Sequence, residues 1–259
     1  MAQATMPIQP ILGVQLAATD YAGVLACVRE AIAQRRQLCL NFCNVHVTME
    51  AQRSAALRAA LNHPAALTLP DGMPLVWAMR SWGAPLRARV YGPDFFELCM
   101  THSAAYGWRH FLYGSTEQTL VQLQAQLRER CPDTCIVGAY APPFRELSTE
   151  EEQAVAARIN ASGADIVWVA LGAPKQELWI RHMADVLTAP VLAAIGAAFD
   201  FHAGTVKQAP DWMQNHGLEW LYRLWQEPRR LWVRYCYNNP LFIMRVVWER
   251  LRRQTPPCV

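Results

Sequence analysis

The sequence predicts an α/β fold, a parallel sheet with helices on both faces followed by a C-terminal helical appendage. Three observations predict it. From residue 108 onward, short apolar runs alternate with helix-patterned segments, the order expected of a parallel sheet. Two of those runs, Asp165–Leu171 and Pro190–Ile195, are apolar almost without a break, as strands buried on both faces are. After Gly204 the strand pattern stops, and the remainder is helical, basic and rich in Trp. The chain is therefore divided into a sheet domain, 1–204, and an appendage, 205–259.

The elements follow in order. A helix is expected around Tyr21–Gln34, leading into a strand at Leu38–Phe42. A helix over Val47–Leu61 precedes a short strand, Ala66–Leu69, which ends at Pro70-Asp71-Gly72. A helix over Pro74–Ser81 comes next, and no element is assigned between 82 and 107. Trp108–Tyr113 reads as a strand turned by Gly114-Ser115. Ser115 and Gln118 form a capping-box pattern that opens a helix to about Arg130. Thr134–Gly138 is the next strand, followed by a Pro142-Pro143 loop. Ser148 and Glu151 are a second capping box, for a helix to about Asn160. Gly172-Ala173-Pro174 turns into another helix, with Pro at its first position. The tail Trp residues, at helical spacing, are expected to pack partly on the sheet.

Composition excludes several classes. With 259 residues, 53% of them hydrophobic and 17% charged, the chain is neither disordered nor collagen-like. A net charge of +3 argues against a nucleic-acid polyelectrolyte. The charge is uneven: from Thr205 onward nine Lys/Arg face four Asp/Glu, a balance of +5, and five of the ten Trp lie there. The first fifteen residues lack a positive n-region and a long apolar core, so no signal peptide is expected. The longest strongly apolar run, Val191–Phe199, is too short for a ~30 Å hydrocarbon core. The eight Cys read as reduced core thiols, and Cys131 and Cys135 have no second pair at zinc spacing. No metal and no cofactor are assigned.

Parallel sheets bind ligands at the carboxyl ends of their strands. The polar residues just after the expected strands are Asn44, Asp71, Gly114-Ser115, Lys175-Gln176-Glu177 and Asp200. Asp71 reads either as turn or cap chemistry or as a general base at a strand end. Gly172–Glu177 reads either as a capped surface turn or as an anion or hydroxyl site at a helix N-terminus. In the tail, Arg223, Arg229, Arg230 and Arg234 suggest an anionic partner, diphosphate or lipid headgroups. No P-loop, G-x-G-x-x-G, G-x-S-x-G or H-E-x-x-H is present. The Asp-x-Asp arrangement that often holds a sugar-nucleotide's metal is also missing.

Six blocks resemble the WecG/TagA/CpsF glycosyltransferases, in the family's order, across about residues 10 to 250. They are Asp71–Trp77, Arg89–Asp94, Phe111–Gly114, Leu171–Glu177, Gly196–Gly204 and Gly217–Arg230. The resemblance implies a Rossmann-like fold and an inverting, metal-independent transferase. Such an enzyme moves a sugar from a UDP-sugar to a polyprenyl-diphosphate-linked sugar in cell-surface polysaccharide synthesis. It implies a cytoplasmic protein, peripheral on the inner face of the plasma membrane through its appendage, and a homo-oligomer is compatible with it. Many members end the first strand in Thr-x-Asn. Here Asn44 keeps the Asn, but Phe42 stands where Thr would fall, which we read as a subgroup feature nearer the GumM-like exopolysaccharide enzymes. Inversion needs a base, assigned to Asp71, and stabilisation of departing UDP by Arg89, a helix N-terminus and tail Arg. Gln176 and Glu177 would hold sugar or nucleotide hydroxyls, and Asn44 would position donor or acceptor. The rivals are a non-catalytic or oxidoreductase nucleotide-binding domain, which the missing glycine fingerprint disfavours, and a peripheral membrane scaffold, which leaves the rim cluster unexplained.

Overall fold

The computed structural model describes residues 6–254, except the side chains at 230, 233, 234 and 254. It opens with an antiparallel hairpin, β1 (Ile8–Ile11) and β2 (Val14–Ala17), which the sequence reading did not foresee. Its two-residue turn, Leu12-Gly13, holds φ at 47° and 75°, the left-handed geometry such a hairpin needs. Leu12 lacks the Asn or Asp that usually marks this turn, and tertiary bonds hold it instead. Its N–H donates to Glu249 Oε2 at 3.0 Å, and its carbonyl accepts from the Gln52 amide.

Helix α1 (Tyr21–Ala33) is capped by Asp20, which accepts from Gly23 N–H at 2.9 Å. Strand β3 (Leu38–Cys43) is buried throughout. The single helix expected over Val47–Leu61 is two, α2 (Val45–Arg53) and α3 (Ala55–Leu61). They part at Ser54, where the backbone is extended and the side-chain hydroxyl caps the second helix by accepting from Leu57 N–H, a competing use of a Ser side chain. Strand β4 (Ala66–Pro70) and helix α4 (Met73–Ser81) stand as expected.

Helix α5 (Gly92–Tyr106) fills part of the stretch left unassigned. It carries Pro in its first turn and ends on a left-handed Gly107, a start-and-stop signal that was legible. Strand β5 (Arg109–Gly114) and helix α6 (Glu117–Arg130) follow. The Ser115 capping box does not form. Ser115 sits at φ 57°, and Thr116 caps α6 by accepting from Thr119 N–H at 3.1 Å. Strand β6 (Cys135–Tyr140) leads to α7 (Thr149–Ser162), where the Ser148–Glu151 capping box does form. After β7 (Ile166–Ala170) comes α8 (Lys175–Met183), which starts one residue later than expected, so Pro174 is its cap and not its first residue. Then come β8 (Val191–Ala194), α9 (Ala198–His202), α10 (Asp211–Asn215), α11 (Glu219–Gln226) and α12 (Pro228–Gln254).

Six strands form one sheet in the order β4-β3-β8-β7-β5-β6, every pair parallel. Their carboxyl ends therefore share one rim. The core on one side gathers Trp168 of β7 with Phe95 and Phe96 of α5, the nearer ring at 5.0 Å edge-on. The appendage lies against the sheet domain through α12, whose Phe242 is buried with Ile11, Val47 and Met49. Among the tail Trp, Trp220 is half-buried in the roof of the rim, 5.9 Å from the Tyr235 ring. Trp212 of α10, Trp225 of α11 and Trp232 and Trp248 of α12 are each more than half exposed, while α12 turns Leu231, Asn238 and Phe242 inward.

Candidate active site

A cleft of about 480 Å³ opens along the strand rim, roofed by the appendage, within the usual size of a ligand site. Asn44, Asp71, Arg89, Gln176, Glu177, Asp200 and Arg223 line it together. Strand register brings the first two side by side. β3 and β4 are paired through Cys43 and Pro70, and the Asp71 N–H continues the ladder to the Cys43 carbonyl at 2.8 Å. Asn44, one residue past β3, caps α2 by accepting from Val47 N–H at 3.2 Å. A Cβ on Gly72 would lie 3.6 Å from that of Asn44.

Asp71 is the chemically distinctive residue. Its Oδ1 accepts from the Gly92 N–H at 3.1 Å, at the start of α5. Burial pushes its carboxyl up from 3.8 to about 7, with Arg89, Glu219, the Gly92 bond and Arg223 as further influences. Among these, the Glu219 charge adds to the rise, while Arg89, the Gly92 bond and Arg223 oppose it. A carboxylate poised near neutrality can take a proton at working pH.

Arg89 is closely held. Its guanidinium donates to Glu219 Oε2 at 2.7 Å and Gln214 Oε1 at 2.7 Å, and lies 4.0 Å over the Tyr91 ring. Tyr91 donates its hydroxyl to Glu219 Oε1 at 2.8 Å. Arg223, also on α11, rests over the Phe201 ring at 5.8 Å.

At the other wall, Gln176 and Glu177 are buried in the first turn of α8. The Gln176 amide donates to Glu177 Oε1 at 3.1 Å, and its own Oε1 has no hydrogen-bond partner among the described residues. The Ser115 hydroxyl donates to Asp200 Oδ1 at 3.4 Å, linking the end of β5 to α9.

Three expected contacts are not in the cleft wall. Lys175 and Arg229 are exposed and do not line it. Gly114 closes the β5–β7 ladder, where φ is 116° and a Cβ would meet the Ala170 carbonyl at 2.4 Å. Its role is backbone approach, and Ser115 and Thr116 are the lining residues beside it. The Arg230 and Arg234 side chains lie outside the described residues. Phe42, the departure from Thr, is only 5% exposed, its ring 5.7 Å from that of Phe95 and 3.2 Å from where a Cβ on Gly92 would lie. It is a wall residue supporting the start of α5.

The sequence reading missed Tyr91, Glu219, Tyr235 and Asn239, all in the lining, and Gln214, which holds Arg89 from behind it. For Glu219 a signal existed, an acid inside a basic block one turn before Arg223. Among the described residues, no group of three or more His, Cys, Asp or Glu is placed to share a metal ion, and no helix is long and apolar enough to cross a membrane.

The family model described as Glycosyl transferase WecG/TagA/CpsF family matches residues 9–256. That match implies sugar transfer in cell-surface polysaccharide synthesis, with a sugar donor and a lipid-linked acceptor. The parallel sheet, the rim cleft and a match over nearly the whole length agree, and the chain belongs to the WecG/TagA/CpsF family of glycosyltransferases.

Proposed function

We propose that the protein is an inverting transferase moving a sugar from a UDP-sugar to a polyprenyl-diphosphate-linked sugar. The observation that carries the mechanism is Asp71, a carboxylate lifted to about 7 at the wall of a cleft that also holds Arg89 and Arg223. The reaction is one in-line displacement at the anomeric carbon. The acceptor oxygen forms the new bond, its proton passes to Asp71, and the bond to the UDP oxygen breaks. Arg223 and Arg89 supply positive charge for the departing diphosphate. Asn44 orients sugar hydroxyls beside Asp71, and the Gln176 amide and Glu177 do so from the opposite wall.

The test is a panel of UDP-sugars offered with one lipid-linked acceptor, read by product mass. One donor should give a product heavier by a single sugar residue. Because the cleft carries its own cations, EDTA should leave the initial rate about the same. No product with any donor would sink the reading, and a rate lost to EDTA and restored by magnesium would sink its account of the leaving group.

Membrane contact through the appendage is part of the same proposal. Trp225 of α11 is 79% exposed, and Arg229, in the first turn of α12, is exposed as well. Exposed Trp favours the lipid interface, and basic residues gain about 1 kcal/mol each near anionic lipid. Arg229→Glu removes one positive charge and adds a negative one, so binding to phosphatidylserine vesicles should weaken roughly 30-fold. Unchanged co-sedimentation with vesicles would return Arg229 to an ordinary solvated surface.

A further inference from the structure

The residue in the cleft with the least obvious purpose is Glu219. An acid there works against binding an anionic diphosphate, yet it is placed with care. One carboxylate oxygen receives the Arg89 guanidinium at 2.7 Å and the other receives the Tyr91 hydroxyl at 2.8 Å. Both partners belong to the loop that leads into α5, whereas Glu219 belongs to α11 of the appendage. The pair is well shielded, with side-chain exposures of 12% for Arg89 and 15% for Glu219. Arg89 is within reach of Asp71 as well, since its Nη1 lies 3.4 Å from the Asp71 carbonyl. Its charge is the largest of those acting on the Asp71 carboxyl.

We propose that Glu219 is a positioning residue: it holds the Arg89 guanidinium on Tyr91 and away from the Asp71 carboxylate, so that seating α11 keeps that carboxylate able to accept a proton. The inference rests on the reading of Asp71 as the base. The groups that influence Asp71 from the surrounding elements are Tyr21 of α1, Cys43 of β3, Arg89 and Tyr91 of the loop, and Glu219 and Arg223 of α11. Of these, Arg89 and Arg223 favour the ionised carboxylate and Glu219 opposes it. Taking away the Glu219 charge therefore acts twice in one direction. It removes the repulsion, and it releases Arg89 to pair with Asp71, an arrangement that makes a carboxylate a weaker base. The appendage on this account does more than roof the cleft, because an enzyme whose α11 is not seated would hold its base in an ion pair.

The experiment is a carbon-13 NMR titration of the full-length protein labelled at Asp carboxyls, with the Asp71 signal assigned by its loss in Asp71→Asn. Glu219→Gln should move the Asp71 midpoint down by roughly one pH unit or more. Glu219→Asp, which keeps the charge, should hold it close to the starting value. Tyr91→Phe loses a bond to Glu219 without losing the charge and should leave the midpoint in place. In the transfer assay, the acid limb of kcat/KM should shift down by the same amount in Glu219→Gln, with a lower plateau. A midpoint that stays put or rises in Glu219→Gln overturns the proposal. So does a plateau that falls with no movement of the limb, the result of a merely structural contact. The NMR titration needs no turnover. If no UDP-sugar is transferred, the reading of the reaction fails, while the Glu219 effect on Asp71 is still decided.

Discussion

Asp71→Asn is expected to lower turnover by roughly 10²–10⁴-fold, the usual range for removing a general base. Its stability should move the other way. The wild-type carboxyl titrates near 7 in the folded protein and near 3.8 without its surroundings. Because the folded value is raised, the folded state holds its proton more tightly than the unfolded chain. Stability from that proton is present below about pH 4 and is lost as pH rises through about 7. An amide carries no such cost. Asp71→Asn should therefore raise Tm at pH 8, by less at pH 5, and hardly at all near pH 4. Activity and scanning calorimetry on the same preparation check both halves. Near-normal turnover would remove Asp71 from the mechanism, and a Tm gain that does not grow with pH would show that its carboxyl is not raised.

Trp168→Ala should be the most destabilising single change in the sheet domain. The indole is fully buried on β7, against Phe95 and Phe96, and its N–H donates to His110 Nδ1 at 3.0 Å. Deleting it leaves a cavity and strips His110 of that donor in a site already buried enough to hold its ring neutral, with its titration lowered from 6.5 to about 4. Large aromatic deletions of this kind cost about 3–5 kcal/mol. For a chain of this size that is roughly 6–20 °C in Tm. The damage should reach the site, because Phe95 and Phe96 fix α5, and α5 begins at the Gly92 N–H that holds Asp71. Trp168→Phe should recover most of the loss. A Tm within about 2 °C of wild type for Trp168→Ala would mean that the packing between α5 and the sheet does not depend on this side chain.

Much of the fold was legible because its signals are local. Strands buried on both faces, such as β7 and β8, announce themselves as short apolar runs. The Ser148–Glu151 capping box needs only residues three apart. Apart from α5 and the Ser54 cap, whose signals are local, misreadings came where a distant partner overrides a local preference. Leu12 adopts a left-handed turn because Glu249, 237 residues away, binds its N–H. Ser115 gives up the cap to Thr116 because its own φ is 57° and its hydroxyl is turned to Asp200.

The site divides along the same line. By itself the sequence determined which residues stand at the strand ends, Asn44, Asp71, Gln176, Glu177 and Asp200, since parallel strands deliver their carboxyl ends to one rim. Only the tertiary structure decided what those residues can do. The proton affinity of Asp71 comes from burial and from charges on a different helix, and Arg89 is claimed by Glu219 across 130 residues of chain. Which residues of α12 face outward was decided by its seating, which buries Phe242 and leaves Trp248 exposed. The physical reason is common to all three. Strand order and helix caps depend on neighbours in the chain, whereas desolvation, ion pairing and burial depend on neighbours in space.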